Sequence, residues 1–317
     1  MTRWALLIAL LVTVLAAAVV FGPAPVSLAE LWRSPIVREL RVPRALLGLL
    51  VGGALGLAGA SLQALLRNPL ADPYLLGLSG GAGLGAVVAM GLRLSGLWTL
   101  PLAALAGALS AMILIYRLAL AGGGDDLDPR ILLLGGVAVG AFCAAVTTAI
   151  VSLADATDLR NAMLWLWGGL SAASWHSVAV LAVYVPLPAF VLLAEARPLD
   201  LLALGEEPAR HLGADVGPLK RRVYVAASLL TAAAVAVAGV IGFVGLIVPH
   251  LARAVVGRGA SHRTLLPASV LMGGTLLVGA DVLARLAAAP RELPVGIVTA
   301  FIGVPAFVLL LRRWTAT

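Results

Sequence analysis

The chain has 317 residues, 62% of them hydrophobic and only 12% charged, with a mean hydropathy of +1.06 and a net charge of +7. That hydropathy excludes a soluble globular protein. Unbroken apolar runs such as ALLIALLVTVLAAAVVFG (residues 5–22) exclude the period-two alternation of a membrane barrel, which leaves helices that satisfy their own backbone groups. The cationic excess sets the orientation of a polytopic membrane protein and does not point to nucleic acid.

Residues 4–22 form the first expected span. One early Arg and an Ala-rich end give it the look of a signal peptide, but the number of spans that follow makes it an uncleaved first crossing. Further spans are expected at 45–66, 78–97, 98–120, 131–153, 175–196, 264–288 and 293–311. The stretch Val223 to Val256 is too long for one crossing of a hydrocarbon core about 30 Å thick. It carries Gly239, Gly242, Gly245 and Pro249, which favour a break into two spans. The expected fold is therefore an all-α membrane domain of about ten transmembrane helices over residues 1–317, with both termini on the cytoplasmic side. On that arrangement fourteen of the 22 Lys and Arg residues face the cytoplasm, as the positive-inside rule requires. Half of the eight outside cations crowd into Arg33–Arg44, a local violation that asks for a reason.

Glycines recur inside the spans, with Gly52, Gly53, Gly56 and Gly59 in the second and Gly80, Gly81, Gly83 and Gly85 in the third. Small residues at this spacing let membrane helices approach closely. RNPLADP (67–73) is expected to be a rigid turn fixed by Pro69 and Pro73. Cys143 is the only cysteine, so no intramolecular disulfide exists, and it reads as a small packing residue.

Catalytic patterns are missing. There is no GxxxxGK[ST] loop, no HExxH, no GxSxG, and His176, His211, His250 and His262 stand apart. Neither a metal site nor an enzyme is expected. Asp281 and Arg285 lie four apart on one helical face near a span end, where a local ion pair is the simpler reading than a proton relay. An ion-gradient-driven carrier would show more unpaired acids within its spans, so it stands as the alternative of another class.

Against this apolar background LGEEPARHLGADVGPLKRR (204–222) holds three acids, four fixed cations and a histidine. Gly205 and Gly213 bound a short EEPARHL helix with acids first and cations last, the order that complements a helix dipole. It reads as a short amphipathic helix outside the membrane, followed by the anchor KRR, within a loop over 197–222.

Four ordered blocks carry a resemblance: RVPRALLGLLVGGALGLAGASLQALLRNPLADPYLLGLSGGAGLGA (41–86), LALGEEPARHLGADV (202–216), GFVGLIVPHLAR (242–253) and ELPVGIVTAFIGVPAFVLLLRR (292–313). Together they resemble the permease subunits of type II ABC importers for cobalamin, haem and iron-siderophore complexes. The resemblance implies a homodimer in the bacterial inner membrane, each subunit seated on a cytoplasmic ATPase and served by a periplasmic or lipid-anchored binding protein. The permease itself holds no cofactor; ATP and Mg belong to the ATPase. Gly205, Glu206, Glu207, Pro208, Ala209, Arg210, His211, Leu212 and Gly213 then match the coupling helix, with Glu206, Glu207, Arg210 and His211 as polar contacts and Leu212 as apolar anchor. Arg41, Arg44 and Arg285 match the positions that dock the binding protein. GGGDDLDPRILLLGGVAVGA (122–141) leads into the fifth span, where Gly135, Gly136, Val137 and Gly140 would line the pore or gate. Within the family an iron chelate, haem or siderophore, is the first expectation for the substrate and cobalamin the alternative.

Overall fold

A computed structural model describes residues 2–31, 33–120, 127–257 and 259–315. Gly122 to Asp126 of the GGGDD run, and Arg258 of the inside cations, lie outside the described residues. The described chain is helical, without a strand among the described residues: α1 (Thr2–Val20), α2 (Val42–Leu65), α3 (Leu78–Gly91), α4 (Thr99–Leu120), α5 (Pro129–Ser152), α6 (Ala156–Leu166), α7 (Trp175–Tyr184), α8 (Pro186–Ala194), α9 (Ala196–Leu202), α10 (Glu206–His211), α11 (Val216–Ala238), α12 (Val244–Val256), α13 (His262–Leu286) and α14 (Val295–Thr315).

Each of the ten expected spans has its counterpart. Among the described residues, seven helical stretches are long and apolar enough to cross a membrane: α1, α2 with its π-helical lead Ile36–Arg41, α4, α5, α7 with α8, α11 and α13. The third, eighth and tenth expected spans are the shorter apolar helices α3, α12 and α14. The sixth is divided at Val185, which keeps helical dihedrals, because Pro186 has no amide proton to continue the hydrogen bonds of α7. Helix α6 fills what was expected to be a long connection.

Helix α2 is the axis of the molecule, buried along nearly its whole length between α11, α12 and α13. Its glycines make that possible. A methyl group on Gly52 would collide with the carbonyl of Gly273 on α13, and one on Gly56 with the carbonyl of Ser269. On the next face Gly59 rests against the carbonyl of Gly245 in α12. Pro249 lacks the amide that would bond that carbonyl within the helix, so the proline frees the oxygen on which α2 packs. One turn further on, the Gln63 amide donates to the Leu246 carbonyl at 3.1 Å, and Arg253 donates to Gln63 Oε1 at 3.2 Å. Gly245 and Pro249 therefore lie inside α12. The break expected between Val223 and Val256 falls at residues 239–243, where Gly239 and Phe243 both have φ of +68°.

Helix α1 lies along α13 and is fastened at both ends. Arg3 donates to the Val256 carbonyl at the end of α12, and its other end meets Arg41 and Arg285.

Candidate functional site

Helices α2 and α13 run between two charged regions. Arg44 and Asp281 stand at one end, here called the rim, and Arg67 with His262 at the other, which carries α10. The 24 residues of α2 separate them by about 36 Å.

At the α10 end, Gly205 takes φ +120° and Gly213 φ +86°, conformations open to glycine, and they stop and start the chain on either side of Glu206–His211. Ala209 is fully buried and holds the helix down, while Glu207, Arg210, His211 and Leu212 are exposed. Leu204 and Leu212, 64% and 58% exposed, flank the helix on its solvent side. Glu206 behaves differently from its neighbours. Its carboxylate turns inward and meets Lys220 Nζ at 2.7 Å, with Arg67 and Arg210 each at 3.8 Å. Lys220 is 2% exposed and also donates to the carbonyl of Leu127, 3.2 Å away, just before α5.

Two expectations change here. Glu206 is not an outward contact, and Lys220 is not part of a loop anchor. Helix α11 begins at Val216, four residues before Lys220, and rotates that residue into the protein, leaving Arg221 and Arg222 outside. Arg222 closes a bond of 2.5 Å to Glu195 beside α9. The sequence did hold one signal for Lys220: it is the single lysine in a chain whose other fixed cations are all arginine.

At the rim, Arg44 lies against Asp281 through Nε at 2.9 Å and NH2 at 2.8 Å, and reaches Glu292 at 2.8 Å. Arg285 adds a second cation 3.1 Å from Asp281, and donates to the Ala18 carbonyl at 3.2 Å. Arg41 donates to the carbonyls of Val19, at 3.0 Å, Val20, at 2.7 Å, and Ala24. These are the last carbonyls of α1 and the turn beyond it, groups with no helical partner of their own. The expectation that Arg41, Arg44 and Arg285 face a docking partner is thereby corrected. Arg41 and Arg285 are buried and fasten α1, and the Arg44 side chain is only 11% exposed. The expected Asp281–Arg285 pair is present, with Arg44 as a third member. Exposed cations in the segments flanking this rim include Arg33, Arg38 and Arg291.

The expected pore glycines also separate. Gly136 is covered by the Leu75 carbonyl and Leu76, and Gly140 lies beside Gly77, so both admit the turn Pro73–Gly77 against α5. Gly135 is half-buried near Ile115 and Leu118 of α4. Of the four, Val137 alone stands on the exposed apolar face of α5, with Leu134 and Phe142. Gly136 and Gly140 serve packing against that turn, as the α2 glycines do against α12 and α13.

The model of the FecCD transport family matches residues 6–313. The chain belongs to that family. It is a multi-span permease subunit of the type II ABC importer class, a transport subunit rather than an ATPase. Over 277 residues it is 47% identical to a cobalamin import system permease protein BtuC of Halobacterium salinarum, covering 87% of this chain and 73% of that protein. A vitamin B12 import system permease protein BtuC of Klebsiella pneumoniae is 43% identical over 277 residues, 87% of this chain and 82% of that protein. Among solved structures, an ABC transporter assigned to the metal-chelate type, in an inward-facing conformation, superposes with a TM-score of 0.88 at 30% identity over 97% of each chain.

Proposed function

We propose that this permease imports a corrinoid of the cobalamin class. It does so as a homodimer in the inner membrane with both termini cytoplasmic, driven by an ABC ATPase seated on α10 and fed by a binding protein at the rim. The observation that carries the mechanical part is the geometry of α10. It is fixed to the body through Ala209 and Glu206 and offers Glu207, Arg210, His211 and Leu212 to solvent. A helix held from behind with a mixed polar and apolar front is suited to a socket on another protein. Removal of the apolar anchor by Leu212→Asp, with Glu207→Ala, should release the ATPase during purification in mild detergent. Undiminished co-purification would sink the assignment.

The names of the relatives move the substrate from iron chelate to corrinoid, since proteins 47% and 43% identical to this one carry cobalamin or vitamin B12 in their names. The metal-chelate relative, at 30% identity, keeps an iron chelate as the second reading. Uptake of labelled cyanocobalamin into proteoliposomes holding permease and ATPase, with the binding protein supplied, decides between them. Competition by excess ferric siderophore or haem and none by corrinoid would overturn the first reading. At the rim, docking in this reading falls to the exposed Arg38 and Arg291, whose contribution is orientation and association rate more than affinity. Charge reversal at both should slow docking at low salt and leave little difference at high salt.

A further inference from the structure

Lys220 is a buried ammonium in a chain that elsewhere uses arginine for every fixed cation. A charge removed from water is tolerated only where partners replace its hydration, and the partners here come from separate elements. Glu206 Oε2, at 2.7 Å, belongs to α10. The Leu127 carbonyl, at 3.2 Å, belongs to a fully buried residue directly before Asp128, whose side chain caps α5 by accepting from the Arg130 amide. Lys220 itself stands on α11, one of the helices against which α2 packs. A compact ammonium can bridge a carboxylate and a carbonyl in so narrow a place, where the planar fork of an arginine needs more room. A polar cleft of about 670 Å³ opens beside the bridge, lined in part by Arg67, Asp128, Arg130 and Glu206. Glu206 thus lines this cleft, and its carboxylate is tied through one side chain to the residue that leads into α5.

We propose that Lys220 is a positioning residue that passes displacement of α10 to the start of α5. Glu206 is its handle on α10 and the Leu127 carbonyl its grip on α5. The proposal rests on the reading of α10 as the seat of the ATPase, and deepens it by separating an outward face that binds from an inward face that transmits.

The test uses the full complex of permease, ATPase and binding protein in proteoliposomes, and reads import per ATP hydrolysed together with the amount of ATPase retained. Lys220→Met and Glu206→Gln keep volume and remove one charge each. Each should lower import per ATP by about tenfold or more, as expected for breaking a buried pair, while the ATPase stays attached. The exchange Glu206→Lys with Lys220→Glu restores the ion pair with its poles reversed but sets a carboxylate against the Leu127 carbonyl, so it should keep the ATPase attached and stay uncoupled. It also answers the case in which a single variant fails to fold, since a folded exchange that binds the ATPase without coupling shows that the grip on α5 matters beyond the ion pair. Unchanged import per ATP in both single variants would overturn the proposal. So would an exchange that couples as well as the parent, or a loss of import matched by an equal loss of bound ATPase. The outward variant Leu212→Asp separates the two readings. If it retains the ATPase, the docking surface is wrong; if it releases the ATPase while Lys220→Met couples normally, docking stands and the bridge fails.

Discussion

The two ends of the permease each gather cations around one carboxylate, and the two clusters are built for different work. At the rim, Asp281 is 1% exposed and is held by Arg44 from α2 and Arg285 from its own helix, while Arg285 and Arg41 fasten the end of α1. Asp281, Arg285 and Arg41 are buried where three helices meet, and only Glu292, in the segment before α14, stays part-exposed. At the α10 end, Glu206 remains part-exposed and Lys220 is its one deeply buried partner, with Arg67 and Arg210 in solvent. The carboxylate there belongs to a six-residue helix lying beside an open cleft. One cluster is a clamp within the body and the other a hinge between body and surface. The same ion-pair chemistry gives rigidity or transmission according to how many of its members are buried.

The comparison breaks most decisively at Asp281. Asp281→Ala leaves the buried Arg285 without its carboxylate and Arg44 with only the part-exposed Glu292, and stability of the detergent-solubilised protein should fall by about 3–5 kcal/mol, read as the midpoint of thermal or denaturant unfolding. A loss below about 1 kcal/mol would place the rim among ordinary surface pairs and remove the distinction between clamp and hinge. A smaller effect is expected at Arg41. Arg41→Met strips donors from the carbonyls of Val19, Val20 and Ala24, a loss of about 1–3 kcal/mol on the scale of unsatisfied buried groups. Its signature should be local: faster hydrogen exchange or proteolysis at residues 17–24, with the rest of the bundle unaltered. Global unfolding in step with the local change would mean that α1 is integral to the core.

Much of this architecture could be read from the chain itself. Long apolar runs locate the spans because the bilayer imposes their length. Gly205 and Gly213 locate α10 because both adopt positive φ, where side chains strain. What stayed hidden were partners far apart in sequence. Lys220 meets a carbonyl 93 residues away, Arg44 an acid 237 residues away, and Arg285 a carbonyl 267 residues away. Local pattern carries no record of such pairings, so rim arginines buried against α1 looked the same as rim arginines waiting for a partner. The α5 glycines show the same limit: spacing shows that something must come close, and only the fold shows that over Gly136 and Gly140 it is the turn Pro73–Gly77.

The smallest expected effect tests how local the hinge is. Arg67 reaches Glu206 at 3.8 Å with nearly half of its side chain in solvent, in a turn where its own backbone sits at φ +46°. A pair this exposed contributes about 0–1 kcal/mol and is screened by salt. Arg67→Ala should therefore leave stability within that range and import per ATP within about twofold of the parent, with the difference shrinking as salt is raised. Lys220 has no such shelter in solvent, so its loss should be salt-insensitive. If Arg67→Ala proves as damaging as Lys220→Met and as indifferent to salt, then Glu206 is held by a network of cations acting together, and transmission from α10 runs through the α2–α3 turn as well as through α5.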